Sequence, residues 1–469
     1  MSSSFDVIVI GSGSAGFSAA EAARSLGARV CLIEKEKLGG ECPNWACVPS
    51  KALLCAARAY REARSTAKFG IAAGGVSFDW EKVTGYRRRV VESVTGGGEV
   101  GNRYVKTLQR AGIEVIFGCA SFVDTETIEV AGSRFRAKAF VIATGAKEFV
   151  PRIPGLEGIP FLTSRGALAL ERQPKSMAII GGGPVGCELA TLFASFGSRV
   201  VLLQSAPTIL TREDVEIRGI ARQAMEDLGV EIVTEAIVTE AINARGGVYG
   251  LKVQSAGGLV THAFESVVVA AGRVANTDGL NVGSVGARLD ERGNVVTASD
   301  QRTTAKHVFA AGDADGGLMF THTAHHEGAV AGRNAALLVL GKRGTIEKSD
   351  ERVVPRVTFV DPEVASVGMT GDEASQRFKK ALVGRSFVSA LGRSAMDGVE
   401  RGLVKIVAHP KTRKVVGCHM IAPHAGEMIH EAALAMHLGA TVDALSSMIH
   451  AYPSYSEAIV VAAASVRLE

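Results

Sequence analysis

Cys42 and Cys47 stand five positions apart in Glu41-Cys42-Pro43-Asn44-Trp45-Ala46-Cys47, and Lys51 follows four residues later. On a helix that begins near Cys47, Lys51 falls one turn on and faces the same way. Two thiols beside an ammonium suit redox chemistry, because the positive charge favours the thiolate, which is the reactive form. The spacing is not that of a zinc site. No second Cys-x-x-Cys or histidine pair nearby completes four ligands, so no metal is expected. Two buried structural cysteines are the alternative reading. Cys31, Cys55, Cys119, Cys187 and Cys418 read as core residues, with Cys55 the nearest of them to the pair.

A duplicated pattern must position these groups. Asp6-Val-Ile-Val-Ile-Gly11-Ser12-Gly13-Ser14-Ala15-Gly16 overlays Ser176-Met-Ala-Ile-Ile-Gly181-Gly182-Gly183-Pro184-Val185-Gly186 at an offset of 170 residues. The offset persists, with Ser25 to Val30 over Ser195 to Val200 and Glu34 over Gln204. Each copy reads as an apolar strand, a Gly-x-Gly-x-x-Gly turn, an amphipathic helix and a second apolar strand, which is the context the dinucleotide fingerprint requires. The first glycine makes the turn, the second admits a pyrophosphate, and the third lets the helix pack on the strand. The helix N-terminus supplies donors and a positive dipole end. Two dinucleotides are therefore expected, one per copy.

Glu34 ends the second strand of the first copy, where a carboxylate accepts bonds from a ribose 2′-hydroxyl. Gln204 takes that place in the second copy, with Ser205 beside it and Arg212 eight residues on. A neutral amide does not repel a 2′-phosphate, so NADPH is favoured, with NADH as the alternative. Further apolar strands end in Ala143-Thr144-Gly145, Ala271-Gly272-Arg273 and Gly312-Asp313, and Thr321-His322-Thr323-Ala324 opens a helical stretch. From about Lys348 the character changes: Val353 to Val367, and segments through Ile421, alternate apolar and polar residues, which reads as an antiparallel sheet carrying helices.

With 469 residues the chain has room for about three domains. The net charge of +4 is spread without basic runs, so no nucleic-acid partner is expected. The first residues lack a charged signal region, and no run reaches the roughly 18 apolar residues of a membrane span. Seven cysteines without disulfide-framework spacing point to a reducing compartment, the cytoplasm.

Together these residues closely resemble the flavin-dependent pyridine nucleotide–disulfide oxidoreductases, the family of glutathione reductase, dihydrolipoamide dehydrogenase and mercuric reductase. The motifs extend over essentially the whole chain. The resemblance implies an α/β protein with two Rossmann-like dinucleotide-binding domains and an α+β C-terminal dimerisation domain. Residues 1–148 and 275–346 would bind FAD, 149–274 NAD(P)H, and 347–469 would form the interface of a homodimer. FAD would lie on Gly11, Gly13, Ser14, Ala15, Gly16, Glu34, Lys51, Thr144, Gly145, Gly312, Asp313 and Ala324. NAD(P)H would lie on Gly181, Gly183, Val185, Gly186, Gln204, Gly272 and Arg273. Cys47 would be the charge-transfer thiolate against the flavin, and Cys42 the thiol that attacks the substrate. Lys51 would pair with Glu188 near flavin N5, and Asp313 would hold the ribityl chain.

The glutathione and lipoamide reductases of the family carry a C-terminal His-Pro motif whose histidine is the acid/base group, oriented by a glutamate. Here the stretch is His450-Ala451-Tyr452-Pro453-Ser454-Tyr455-Ser456-Glu457, so Glu457 is kept and Tyr452 replaces the base. A phenol with an ordinary pKa of about 10 is a poor base at neutral pH. His450 reads as a loop-surface residue. The pattern is closer to mercuric-reductase-like members, yet their C-terminal cysteine pair is missing from Ser465-Val466-Arg467-Leu468-Glu469, so efficient Hg(II) reduction is not expected. The expected activity is electron transfer from NAD(P)H through flavin and the Cys42–Cys47 disulfide to a small-molecule acceptor. Dihydrolipoamide dehydrogenase and a redox-sensing flavoprotein are the alternatives.

Overall fold

The computed structural model describes residues 4–244 and 246–469, so residues 1–3 of the expected FAD-binding domain lie outside it. The chain divides into two compact units. One comprises Met1–Ala52, Gly85–Phe149 and Gly272–Glu351; the other comprises Leu53–Thr84, Val150–Ala271 and Arg352–Glu469.

In the first unit the strands Glu114–Phe117, Val30–Glu34, Ser4–Ile10 and Ser133–Ile142 lie side by side in that order. These pairs are parallel, and Val308–Ala310 adds in parallel to Ser133–Ile142. A parallel sheet covered on both faces needs apolar residues at successive positions, which Val7-Ile8-Val9-Ile10 supplies. Val7 and Val9 enter one apolar cluster, shared with Ala15, Ala19 and Ala331. Ile8 and Ile10 enter the other, with Phe122 and Phe140. Each such side chain contributes about 1.5–3 kcal/mol on burial, so the strand that aims the first glycine turn is held from both sides. The helices Ser14–Ser25 and Thr321–Leu340 cross closely. A Cβ at Gly328 would lie 2.1 Å from Ala15 O, and one at Gly332 2.0 Å from Ala19 O. The short strands Ala146–Glu148 and Arg273–Ala275 pair antiparallel.

The second unit holds a four-stranded parallel sheet in the order Val230–Val233, Arg199–Leu203, Ser176–Ile180, Ser266–Val269. A three-stranded antiparallel meander, Ile237–Asn243, Tyr249–Ser255 and Gly258–Phe264, is inserted in sequence between the Val230–Val233 and Ser266–Val269 strands of that sheet. The alternating C-terminal segment forms the expected antiparallel sheet, built on Glu363–Gly368, Val415–Ala422, Leu403–Ala408 and Leu382–Phe387. Its apolar face is covered by the helices Ala425–Leu438 and Glu457–Ala464. The buried Lys405 ammonium within this unit is neutralised by Asp214 at 2.8 Å, as a buried charge must be. The architecture is the expected α/β one. Among the described residues no helix is long and apolar enough to cross a membrane.

Candidate functional site

The first glycine turn has the geometry the fingerprint demands. Gly11 adopts φ +99°, and a Cβ there would lie 2.2 Å from Ala143 O. At Gly16 a Cβ would lie 1.8 Å from Gly11 O, so the helix can start this close to the strand only without a side chain. Glu34 Oε2 accepts from Ser12 N at 3.0 Å and from Ser12 Oγ at 2.6 Å, while Oε1 accepts from Glu36 N at 2.8 Å. The carboxylate thus shapes the turn, and its four lone-pair sites leave capacity for a ribose hydroxyl. A Cβ at Gly13 or Gly145 would meet nothing within 4 Å. The buried hydroxyls Thr144 Oγ1 and Thr323 Oγ1 have no hydrogen-bond partner among the described residues. Open backbone and orphaned hydroxyls fit a bound dinucleotide such as FAD.

The cysteine segment is pressed onto this cradle. Gly39 and Gly40 adopt φ +87° and +66°, and a Cβ at Gly40 would lie 2.7 Å from Gly13 Cα. Asn44 Nδ2 donates to Leu38 O at 3.1 Å and to Gly40 O at 2.7 Å, folding the segment back on itself. Cys42 lies on the short helix Glu41–Trp45, and Cys47 is the first residue of the helix Cys47–Arg64, with Lys51 one turn on as expected. Cys47 Sγ is 3.7 Å from Thr321 Oγ1. Thr321 begins the 20-residue helix Thr321–Leu340, and its carbonyl accepts from Ser14 Oγ at 2.9 Å. Cys47 therefore meets two helix N-termini, which favour negative charge on sulfur. The Cys42 thiol is held far above the ordinary thiol range by its hydrogen bond to Cys47 and by burial, against smaller opposing pulls from Thr321 and Lys51.

Arg273 belongs to this unit and reaches the cysteine segment. Its Nη1 donates to Glu41 Oε1 at 3.1 Å and its Nη2 to Glu41 Oε2 and to Ala146 O. Its Nε lies 3.7 Å from Asp313 Oδ2. Burial works against the charge of Arg273, but Glu41, Asp313 and Glu148 more than restore it. Burial likewise raises the Asp313 carboxyl, with Arg273 opposing. Ala324 is buried on the first turn of Thr321–Leu340, and Gly312 turns at φ +71°.

The second unit repeats the cradle. Gly181 adopts φ +116°, with a Cβ there 2.3 Å from Ala270 O, and a Cβ at Gly186 would lie 1.9 Å from Gly181 O. Nothing lies within 4 Å of a Cβ at Gly183, and Val185 is exposed beside it, so this turn also fits a dinucleotide. Gln204 Oε1 accepts from Gly182 N at 2.9 Å, the counterpart of the Glu34–Ser12 bond. Glu188 is buried on the helix Pro184–Ser195, and its Oε1 accepts from Phe359 N at 3.0 Å. Gly272, placed by the sequence with this cofactor, belongs with Arg273 to the first unit and adopts φ +135°.

Three expectations need correction. His450 is not a loop-surface residue: its side chain is 7% exposed, Nε2 lies 2.8 Å from Glu431 Oε1, and Nδ1 lies 3.1 Å from Met448 O. Both ring nitrogens face oxygen atoms of the same chain, and the helix Ala425–Leu438 that carries Glu431 provides the burial. Cys55 and Cys119 are exposed rather than core, whereas Cys31, Cys187 and Cys418 are buried. Cys119 sits in the turn between the strands Glu114–Phe117 and Ala120–Phe122, where loops meet solvent. Tyr452 is 74% exposed, and Glu457 Oε2 accepts from Ser454 N at 3.0 Å, at the start of its own helix. Sequence reasoning passed over Glu41 and Glu431, because each acts through a partner that local pattern does not reveal. No group of three or more metal-ligating side chains is assembled among the described residues.

Comparison with known proteins identifies the class. The pyridine nucleotide-disulphide oxidoreductase family model matches residues 5–328, and the dimerisation domain of that family matches residues 354–463. The chain belongs to this family, whose members depend on FAD and a nicotinamide substrate, and it is a flavoprotein oxidoreductase acting on NAD(P)H. It is 35% identical over 470 residues to dihydrolipoyl dehydrogenase of Bacillus subtilis (strain 168), covering 98% of this chain and 97% of that one. It is 32% identical over 459 residues to mercuric reductase of Staphylococcus aureus, covering 98% and 82%. Among solved structures, the HOCl-induced flavoprotein disulfide reductase RclA from Escherichia coli superposes with a TM-score of 0.85 at 28% identity, covering 98% and 99% of the two chains.

Proposed function

We propose that this chain is an NADPH-preferring flavoprotein reductase that passes electrons through Cys42 and Cys47 to a small acceptor which needs no histidine base, such as a metal ion or a quinone-like compound. The observation that carries this reading is the asymmetry of the thiol pair. Burial and the hydrogen bond to Cys47 bias the Cys42 thiol towards its protonated form, while Cys47 stands at helix N-termini beside an open dinucleotide cradle. FAD, held on the first cradle, supplies the link between a hydride donor and a thiol pair. Cys47 would then serve the flavin side and Cys42 the acceptor side, with Lys51, one helical turn on, supporting the thiolate. Asp313 and Thr144 orient the cofactor by hydrogen bonding. The absence of a base at Tyr452, and the engagement of both His450 nitrogens, favour an acceptor whose reduction needs no histidine acid/base, either because it takes up no proton or because its protons come from solvent.

In this reading residues 1–148 and 275–346 bind FAD, 149–274 bind NAD(P)H, and 347–469 form a homodimer interface that presents Tyr452 and Glu457. The cytoplasm, a reducing compartment, is the proposed location. Anaerobic titration with NADPH tests the scheme: a long-wavelength absorption band should appear, persist in Cys42→Ser and vanish in Cys47→Ser. The reverse pattern would exchange the two roles, and no band in the parent would sink the scheme. Assays with Hg(II), Cu(II), quinones, lipoamide and glutathione disulfide then identify the acceptor. A dihydrolipoamide dehydrogenase, the second reading suggested by the Bacillus subtilis relative, would turn over lipoamide fastest.

A further inference from the structure

Glu41 immediately precedes Cys42 and opens the short helix that carries it. Both Nη atoms of Arg273, 232 residues away in sequence, grip its carboxylate. The same guanidinium donates to Ala146 O at 2.9 Å and brings its Nε, which has no hydrogen-bond partner among the described residues, to 3.7 Å from Asp313. The three ionised side chains are only 21–28% exposed. Salt screens such a group less than a surface bridge, and a two-pronged fork fixes direction as well as distance. The backbone of the segment is already bent by Gly39 and Gly40 and tied by Asn44. What Glu41 adds is an anchor that depends on charge.

We propose that Glu41 and Arg273 are positioning residues for the thiol pair. The guanidinium pins the Cys42 helix to the Asp313 corner of the first cradle, and the carboxylates around it cancel its charge, so that Lys51 and the helix termini set the thiol chemistry. An Arg273 left unneutralised at the Glu41 position, one residue before Cys42, would draw the thiols towards ionisation; an unpaired Glu41 would oppose it. The inference rests on reading Cys42 and Cys47 as the redox pair.

The test uses the holoenzyme, reduced anaerobically with a phosphine and alkylated with iodoacetamide across a pH series. The peptide carrying Cys42 and Cys47 is followed by mass spectrometry, because Cys55 and Cys119 are also exposed. Glu41→Gln should move the alkylation midpoint down by about one pH unit, and Arg273→Gln should move it up by about as much, a roughly tenfold change in thiolate at fixed pH. The double variant should return towards the parent. Midpoints that move the same way, or not at all, would overturn the proposal. If either Gln variant fails to fold, Arg273→Lys keeps the charge without the fork. It should hold the parental midpoint and weaken the long-wavelength band; a displaced midpoint would again overturn it. Alkylation needs no turnover, so failure here is distinct from failure of NADPH to reduce the pair.

Discussion

The two glycine cradles share a backbone and differ in charge. Gly11 and Gly181, and Gly16 and Gly186, meet the same obstacles at distances that differ by 0.1 Å. Both turns are tied to the end of their second strand by one side chain, Glu34 in the first and Gln204 in the second. The first cradle gathers carboxylates around it, the buried Glu34 and Glu327 and the half-buried Asp313 and Asp315 among them. At the corresponding anchor the second offers a neutral amide. The difference teaches that duplication preserved the part that grips a pyrophosphate and changed the part that reads the rest of the ligand. Geometry is the common property; electrostatics is the specific one.

Removing the shared geometry should separate the two cradles most sharply. Gly16→Ala and Gly186→Ala place a methyl less than 2 Å from a backbone oxygen, a strain on the order of 3 kcal/mol or more. The first should yield protein without the 450 nm flavin band; the second should stay yellow but lose NAD(P)H-driven flavin reduction. Equal loss of flavin from both would erase the distinction. Next in size is Gly332→Ala, which forces the Thr321–Leu340 helix off Ala19 in the first cradle. A loss of roughly 2–4 kcal/mol in denaturant unfolding is expected, together with faster FAD release.

Gln204→Glu should make the second cradle electrostatically like the first. The NADPH/NADH ratio of kcat/KM is expected to fall about tenfold, and steady-state kinetics with both donors measure it. An unchanged ratio would place nucleotide selection elsewhere. The smallest effect concerns pH. Burial beside Asp315 pushes the Glu327 carboxyl from 4.5 up to about 8. The folded state then binds the extra proton, so stability present at low pH is lost as pH rises from about 4.5 through about 8. Glu327→Gln should flatten that slope, gaining stability relative to the parent as pH rises from about 5 to about 8.5 in urea unfolding. A parallel slope in both proteins would show that Glu327 is not its source.

Much of this molecule was legible locally. The repeated strand–turn–helix and the Cys47–Lys51 spacing depend on neighbours within a few turns, and both kept their expected form. The alternation from Val353 onward likewise became an antiparallel sheet. Exposure was less legible. Cys55 and Cys119 looked like core residues by type, yet burial of a cysteine depends on which face or turn it occupies, and neither carries a local sign of that. His450 was misplaced for the same reason, since its partner Glu431 belongs to a helix packed from elsewhere in the sequence.

The sequence by itself determined that the chain builds two glycine cradles and carries a thiol pair at a helix start, because glycine turns, apolar strands and helix starts are set by steric rules that act over a few residues. Only the tertiary structure decided which charges surround the thiols. Arg273 meets Glu41 across 232 residues. Cys47 meets Thr321 across 274. Such pairings follow from how layers pack, and the Coulomb and desolvation terms that tune a thiol depend on distance in space rather than on position along the chain.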